Sequence, residues 1–345
     1  MQNRSEIIGG EFDVDLQSLK YSHSGNVCLD GLYKYSSGRS ALYHILLDVK
    51  KRNNISKILL PDYLYSSIVI AAEKADVEVV FYPLNDKLEL DEKHFASLYE
   101  EECAVLLINY FGLQNLQIQV AYVRSLNKDA IIIEDDVQGF YEFQKELIGV
   151  DYKFTSLRKT FACPDGGLVK TENLLPEVNT VNKFHQYKLA GSILKSLRKP
   201  EYYDDAVYLS MFEKGESMID DEIAEGMSDM AVNIITKTDI DRLAYIRRRN
   251  AKFICDGLES LGLNTILPVT EDKIPLFVPV YLDDRNKVRK YMFQHNCFCP
   301  VHWPLEGMNV KKGAEMAEHE LSIIVDQRYT NADMEYILDL IAKSK

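Results

Sequence analysis

The first half of the chain alternates between two kinds of block. Short runs that are apolar at nearly every position, KILLP (57–61), VEVVFYPL (77–84), AVLLINYFG (104–112) and AIIIED (130–135), read as strands buried on both faces. Between them, apolar residues recur every three or four positions. ALYHILLDVKKR, entered through Ser-Gly-Arg-Ser at 37–40 and stopped by Asn53 and Asn54, is one such stretch, and segments at 66–74 and 119–126 are others. Strands alternating with helices predict a mainly parallel α/β sheet with helices on both faces, a three-layer domain. In that architecture ligands bind at the carboxyl ends of the strands, so the residues just after each apolar run are the informative ones.

The pattern changes further on. A polar, mainly helical stretch covers 172–240 and carries the exposed-looking aromatics Tyr202, Tyr203, Tyr208 and Phe212 among acids. A long helix at 238–261 reads as a connector. Beyond it come strand FVPVYL, helix DRNKVRKYMFQHN, strand FCPVHW, a further helix, strand LSIIV and the final helix NADMEYILDLIAKS. Two units follow: an arm and large domain over 1–240, and a smaller α+β domain over 241–345.

Composition narrows the function classes. The 345 residues carry a formal charge of −13. That disfavours nucleic-acid and anionic-membrane partners, which demand clustered lysine and arginine, but leaves room for a local anion site on a small ligand. No apolar run has the length of a membrane span or a signal-peptide core. Cys28, Cys103, Cys163, Cys255, Cys297 and Cys299 lack paired metal-site spacing, so they read as reduced, buried thiols of a cytoplasmic protein with no metal.

Four segments carry candidate chemistry. At SSGRSALYHIL (36–46) a glycine turn opens a helix, whose unpaired N–H groups suit a phosphate; Ser40 reads equally as a helix cap. In ILLPDYLYSS (58–67) Tyr65 could lie against a planar ring or simply belong to the core. In IIIEDDVQGF (131–140) consecutive acids end a buried strand; one could pair with a protonated heterocyclic nitrogen, or cap a helix. In DYKFTSLRKTFACPDGGLVKT (151–171) Lys159 precedes a Gly-Gly strand and stands beside Arg158; held at the mouth of the sheet it could be a neutral, nucleophilic amine, or it is a solvated surface lysine.

Taken together, the order and spacing of these residues resemble the DegT/StrS-type sugar aminotransferases, fold-type-I enzymes that use pyridoxal 5′-phosphate (PLP). The likeness runs from about Ser36 to Lys170 and weakly through the C-terminal unit. It implies an aspartate-aminotransferase-like fold. Lys159 would be the Schiff-base lysine and Asp135 the partner of the ring nitrogen. Tyr65 would stack on the ring, Gln138 would lie near its phenolic oxygen, and Gly38, Arg39, Ser40 and Ser156 would hold the phosphate. Asn109 and Tyr110, in the NYFG turn, would face the substrate. His302 and Arg328 lie near later strand ends; Arg328 could hold a substrate carboxylate or form a structural ion pair.

Two departures stand out. Thr155-Ser156-Leu157-Arg158-Lys159 replaces the family's Ser-Phe-His with its longer gap, and AEGMSDMAV (224–232) lacks the Asn and Arg that reach the partner subunit's site. They point to a compact variant with an altered substrate. The resemblance implies amino transfer from a donor such as glutamate to a keto sugar, in a homodimer. The alternatives are another PLP reaction, such as elimination or dehydration, or a non-catalytic homologue serving as a binding subunit.

Overall fold

A computed structural model describes residues 7–14, 25–198, 204–305 and 312–345. Its centre is a seven-stranded sheet in the order β2-β8-β7-β6-β5-β3-β4. The strands are β2 (Tyr33–Tyr35), β3 (Lys57–Pro61), β4 (Glu78–Tyr82), β5 (Cys103–Ile108), β6 (Ile131–Asp135), β7 (Tyr152–Ser156) and β8 (Gly167–Thr171). β4, β3, β5, β6 and β7 run parallel, while β8 pairs antiparallel with both β7 and β2. Every residue of β5 is buried, because helices cover both faces. The carboxyl ends of β5, β6 and β7 therefore fall side by side at Ile108, Asp135 and Ser156.

The helix Gly38–Asn53 shows why its ends lie where they do. Ser37, in extended conformation, is the N-cap and its hydroxyl oxygen accepts the Ser40 N–H at 3.1 Å. Ser40, read above as a possible cap, instead sits within the first turn. Lys50, Lys51 and Arg52 occupy the last turn, where cations complement the helix dipole, and Asn54 closes it at φ 54°.

The connector helix Ile240–Ser260 buries Ile240, Ala244, Arg247, Ala251, Ile254 and Leu258, a single stripe at three- and four-residue spacing. It leads to a smaller unit in which β9 (Phe277–Tyr281) pairs antiparallel with β11 (Glu320–Ile324). Helices Arg285–Gln294 and Asn331–Ser344 pack with it around a separate core containing Val278, Val280, Leu321 and Ile337. Near the start of the chain, β1 (Ile8–Gly9) runs parallel to β10 (Cys297–Phe298) and so joins the smaller unit.

Several expectations need correcting. The strand FCPVHW stops at Phe298, and 299–305 continues without regular structure. The run AVLLINYFG leaves the sheet after Ile108, because Phe111 and Gly112 both take positive φ and turn the chain. Tyr208 and Phe212 are buried, not exposed. Their helix, Ala206–Met218, packs on Phe184–Ser196, where a Cβ on Gly191 would meet the Phe212 ring at 3.0 Å, so any larger residue there would push the ring outward. Tyr202 and Tyr203 lie outside the described residues. Cys28 is exposed and Cys255 partly so; the other four thiols are buried and all six are free. Among the described residues no helix is long and apolar enough to cross a membrane.

Candidate active site

A cavity of about 640 Å³ opens where β5, β6 and β7 end. Its floor is the sheet and the start of helix Gly38–Asn53. Its opposite wall comes from Cys299–Pro304, the end of β11, and Gly9–Phe12. Six cationic and four acidic side chains line it, in a chain of net charge −13. The cavity thus reverses the sign of the protein around it and suits an anionic ligand.

Asp135 is the last residue of β6 and one of the cavity's lining groups. Its Oδ1 accepts the Val137 N–H at 2.8 Å, and no other side-chain bond to it occurs among the described residues. Burial raises its pKa to about 7, partly offset by that N–H. Strand alternation sends its neighbours Glu134 and Asp136 to the opposite face. There Lys153 Nζ lies 3.1 Å from Glu134, and Asn109 Nδ2 donates to Asp136 Oδ1 at 2.9 Å. Of the consecutive acids, only Asp135 faces the cavity.

Lys159 lies in the short helical turn Leu157–Thr160 directly after β7. Its side chain has open surface, but that surface is cavity wall and protein surrounds it otherwise. Burial, then the adjacent Arg158, lower its pKa, which raises the neutral, nucleophilic share of the amine. Its Nζ lies 6.0 Å from the centre of the half-exposed Tyr65 ring. No hydrogen bond or ion pair holds it among the described residues.

Behind it lies a compensated cluster. Arg158 pairs with Glu216 at 3.1 Å, and Lys188 bridges Glu216 at 2.7 Å and Glu11 at 2.8 Å. Burial alone would raise Glu216, but Arg158 and Lys188 outweigh it and hold the carboxyl well below the usual range. Arg39 pairs with Asp220.

The helix start forms a cradle. The first-turn N–H groups of Gly38 and Arg39 have no intrahelical partner. A Cβ on Gly38 would meet Ser156 Cβ and Val137 Cγ2 at 3.1 Å, so a side chain there would crowd the cup that Ser156 helps to form. Ser156 lines the cavity; Ser40 does not, its hydroxyl donating to the Glu225 carbonyl at 3.3 Å. Gln138 lines it too, with Oε1 accepting the Phe111 N–H at 2.8 Å.

Asn109 and Tyr110 do not reach the cavity. The turn after β5 points Asn109 at Asp136 and buries Tyr110, whose hydroxyl donates to the Tyr63 carbonyl. His302 lines the cavity and is held neutral, its pKa lowered to about 3 by burial and then by Lys159. Arg328 also lines it but already makes a two-pronged pair with Asp326, at 3.0 and 2.8 Å. Arg247 and Arg289 line it without a carboxylate partner among the described residues. Arg247 had a signal in the sequence: it is the one charge on the buried stripe of its helix. Glu216 had none, since its place depends on how the helix Ala206–Met218 packs.

The arrangement fits PLP. Among the described residues Asp135 offers a buried carboxyl with no cation beside it, Lys159 an unpaired amine of lowered pKa, and Gly38 an anion cradle.

No protein-family model matches the chain, and no curated protein matches it by sequence. Its structure does resemble solved ones. The aminotransferase TlmJ from Streptoalloteichus hindustanus superposes over 98% of this chain and 99% of its own, with TM-score 0.69 and 13% identity. The sugar aminotransferase CalS13 from Micromonospora echinospora matches over 97% and 93%, with TM-score 0.64 and 13% identity. Spr1654 from Streptococcus pneumoniae, solved in its PLP form, matches over 97% and 93%, with TM-score 0.66 and 13% identity. The chain has the fold-type-I, aspartate-aminotransferase-like fold across its whole length.

Proposed function

We propose that this chain is a PLP-dependent aminotransferase that moves an amino group from an amino acid such as glutamate to a keto sugar, including nucleotide-linked ones. One observation carries the reading: the Lys159 amine and the Asp135 carboxyl, neither with an ionic partner among the described residues, face one cavity at neighbouring strand ends. The sugar aminotransferase CalS13 and the PLP form of Spr1654 share the fold and support the reading. The cavity's cationic surplus suits a phosphate together with a donor carboxylate.

When bound, PLP would supply an electron sink for the charge left on a substrate carbon as its proton departs. Lys159 would hold the cofactor and then, once displaced, carry that proton between carbons as a general base. Asp135 would keep a proton on the ring nitrogen; the cation would in turn draw its pKa down from about 7. Gln138 would meet the phenolic side of the ring, Tyr65 its face, and Gly38, Arg39 and Ser156 the phosphate. The homodimer rests on the resemblance, and the cytoplasmic location on the scattered, unpaired cysteines.

The test is chemical. The purified protein supplied with PLP should turn yellow, borohydride should bleach it, and mass spectrometry should place the reduced cofactor on Lys159. Lys159→Ala should fold but give no adduct. An adduct on Lys153 or Lys170, or none at all, overturns the reading. Spectra with a panel of amino donors and keto sugars would then separate amino transfer from elimination.

A further inference from the structure

Alternation along β11 turns Leu321 and Ile323 into the core of the smaller unit and puts Glu320 and Ser322 on the other face, toward His302. Glu320 and Ser322 are fully buried. Glu320 Oε2 accepts the His302 backbone N–H at 2.7 Å; Glu320 Oε1 is hydrogen-bonded to the Ser322 hydroxyl; and the Ser322 oxygen lies 2.7 Å from His302 Nδ1. The ring's other nitrogen, Nε2, has no partner among the described residues, and His302 lines the cavity.

This wiring has two states. Oε2 is committed to accepting an N–H, so a proton on Glu320 must sit on Oε1. It then donates to Ser322, Ser322 donates to Nδ1, and Nε2 carries the imidazole hydrogen. With Glu320 ionised both bonds of the Ser322 hydroxyl reverse, while the His302 N–H still donates to Oε2. Ser322 donates to Oε1, Nδ1–H donates to Ser322, and Nε2 becomes an acceptor. His302 itself remains neutral in both.

We propose that Glu320 and Ser322 are positioning residues that set the tautomer of His302, so that Nε2 binds a substrate oxygen in the cavity as donor while Glu320 is protonated and as acceptor once it is ionised. The tautomer stands on geometry alone; its meeting a substrate rests on the aminotransferase reading. The switch falls in an accessible range, because burial raises Glu320 to about 8 against the pull of Ser322, the His302 N–H and Arg285. Arg285 Nη1 donates to the Glu320 carbonyl at 3.2 Å, Tyr63 donates to the His302 carbonyl, and Lys159 acts on the imidazole. His319 and Tyr281, Glu320's neighbours in sequence and in register, stack on each other at 4.6 Å.

Glu320→Gln discriminates. Its amide must keep the carbonyl on the His302 N–H and turn its NH₂ toward Ser322, which locks Nε2 as donor. Nitrogen NMR of histidine-labelled protein, with His302→Gln assigning the signal, should show wild-type Nε2 protonated about two units below pH 8 and unprotonated about two units above. Glu320→Gln should keep it protonated at both. With L-glutamate and the PLP-loaded protein, the wild-type KM should rise roughly tenfold across that range beyond any rise in Glu320→Gln, the size of one hydrogen bond. An unchanged wild-type tautomer, or a variant that still switches, overturns the relay. Failure to take up PLP overturns the substrate contact together with the aminotransferase reading, while the nitrogen shifts still decide the relay. A failed relay in a protein that turns over glutamate leaves that reading standing.

Discussion

Lys153→Met probes the charge cluster under the active strand. On the face of β6 away from the cavity, Glu134, Asp136 and Lys153 are all buried. Lys153 Nζ lies 3.1 Å from Glu134 and 4.0 Å from Asp136. Burial, then Glu134, push the Asp136 carboxyl well above the usual range, so one cation balances one anion. Methionine fills the lysine's volume but leaves that anion alone, at a cost of ~4 kcal/mol when ionised. The native protein can escape by taking up a proton. Protonation neutralises the stranded carboxylate, so the ~4 kcal/mol cost is felt in full only where it stays ionised and shrinks as acid supplies the proton. A raised folded-state pKa means the native chain binds the proton more tightly than the unfolded one, so the penalty grows as pH rises. It should be about 4 kcal/mol at pH ~8 and smaller at pH ~5. Urea unfolding of both proteins at both pH values measures it, and coincidence of the signal from Trp303, the one tryptophan, with far-ultraviolet dichroism tests two-state behaviour. A penalty that is the same at both pH values would refute the reasoning.

Three shorter predictions follow from the same geometry. Asp135→Asn should retain PLP but lose at least ~100-fold in turnover, because an amide cannot hold the ring nitrogen protonated; unchanged kcat would remove Asp135 from its role. Phe212→Ala should cost roughly 3–5 kcal/mol in urea midpoint analysis, since the ring is buried against Gly191 and Lys188; a surface-like loss under ~0.5 kcal/mol would contradict that packing. Light scattering should give twice the 39.6 kDa chain mass, and a monomer that still transaminates would count against the dimer.

The central strands were legible because burial on both faces writes them as unbroken apolar runs, as in Cys103–Ile108. Glu92–Leu98 and Tyr33–Tyr35 escaped notice, since seven and three residues are too few for a period to declare itself. Alternation allows only one of Asp135 and Asp136 to face a ligand; the choice of Asp135, and of Lys159 over Lys153 and Lys170, rests on the resemblance to the sugar aminotransferases. Asn109 and Tyr110 misled because a strand end says where a residue is but not which way the next turn rotates it; Phe111 at φ 59° decides that. Ser37 and Ser40 differ by one helical turn, and only the cap geometry separates them. The Glu216 and Asp220 pairings depend on tertiary packing of Ala206–Met218, which no local pattern records.

The two-residue ladder between Ile8–Gly9 and Cys297–Phe298 bears on the order in which the protein can assemble during synthesis. Gly9 to Phe12 form part of the cavity wall, yet the strand that pairs with Ile8–Gly9 leaves the ribosome about 290 residues later. Closing so long a loop costs several kcal/mol of chain entropy, while the few hydrogen bonds of that ladder return about 1 kcal/mol each. The early segment must therefore wait, unpaired, until β9, β11 and their helices have built a surface to receive it. A nascent chain would hold Lys159 and Asp135 at the strand ends of a finished sheet, in a groove still open along one side.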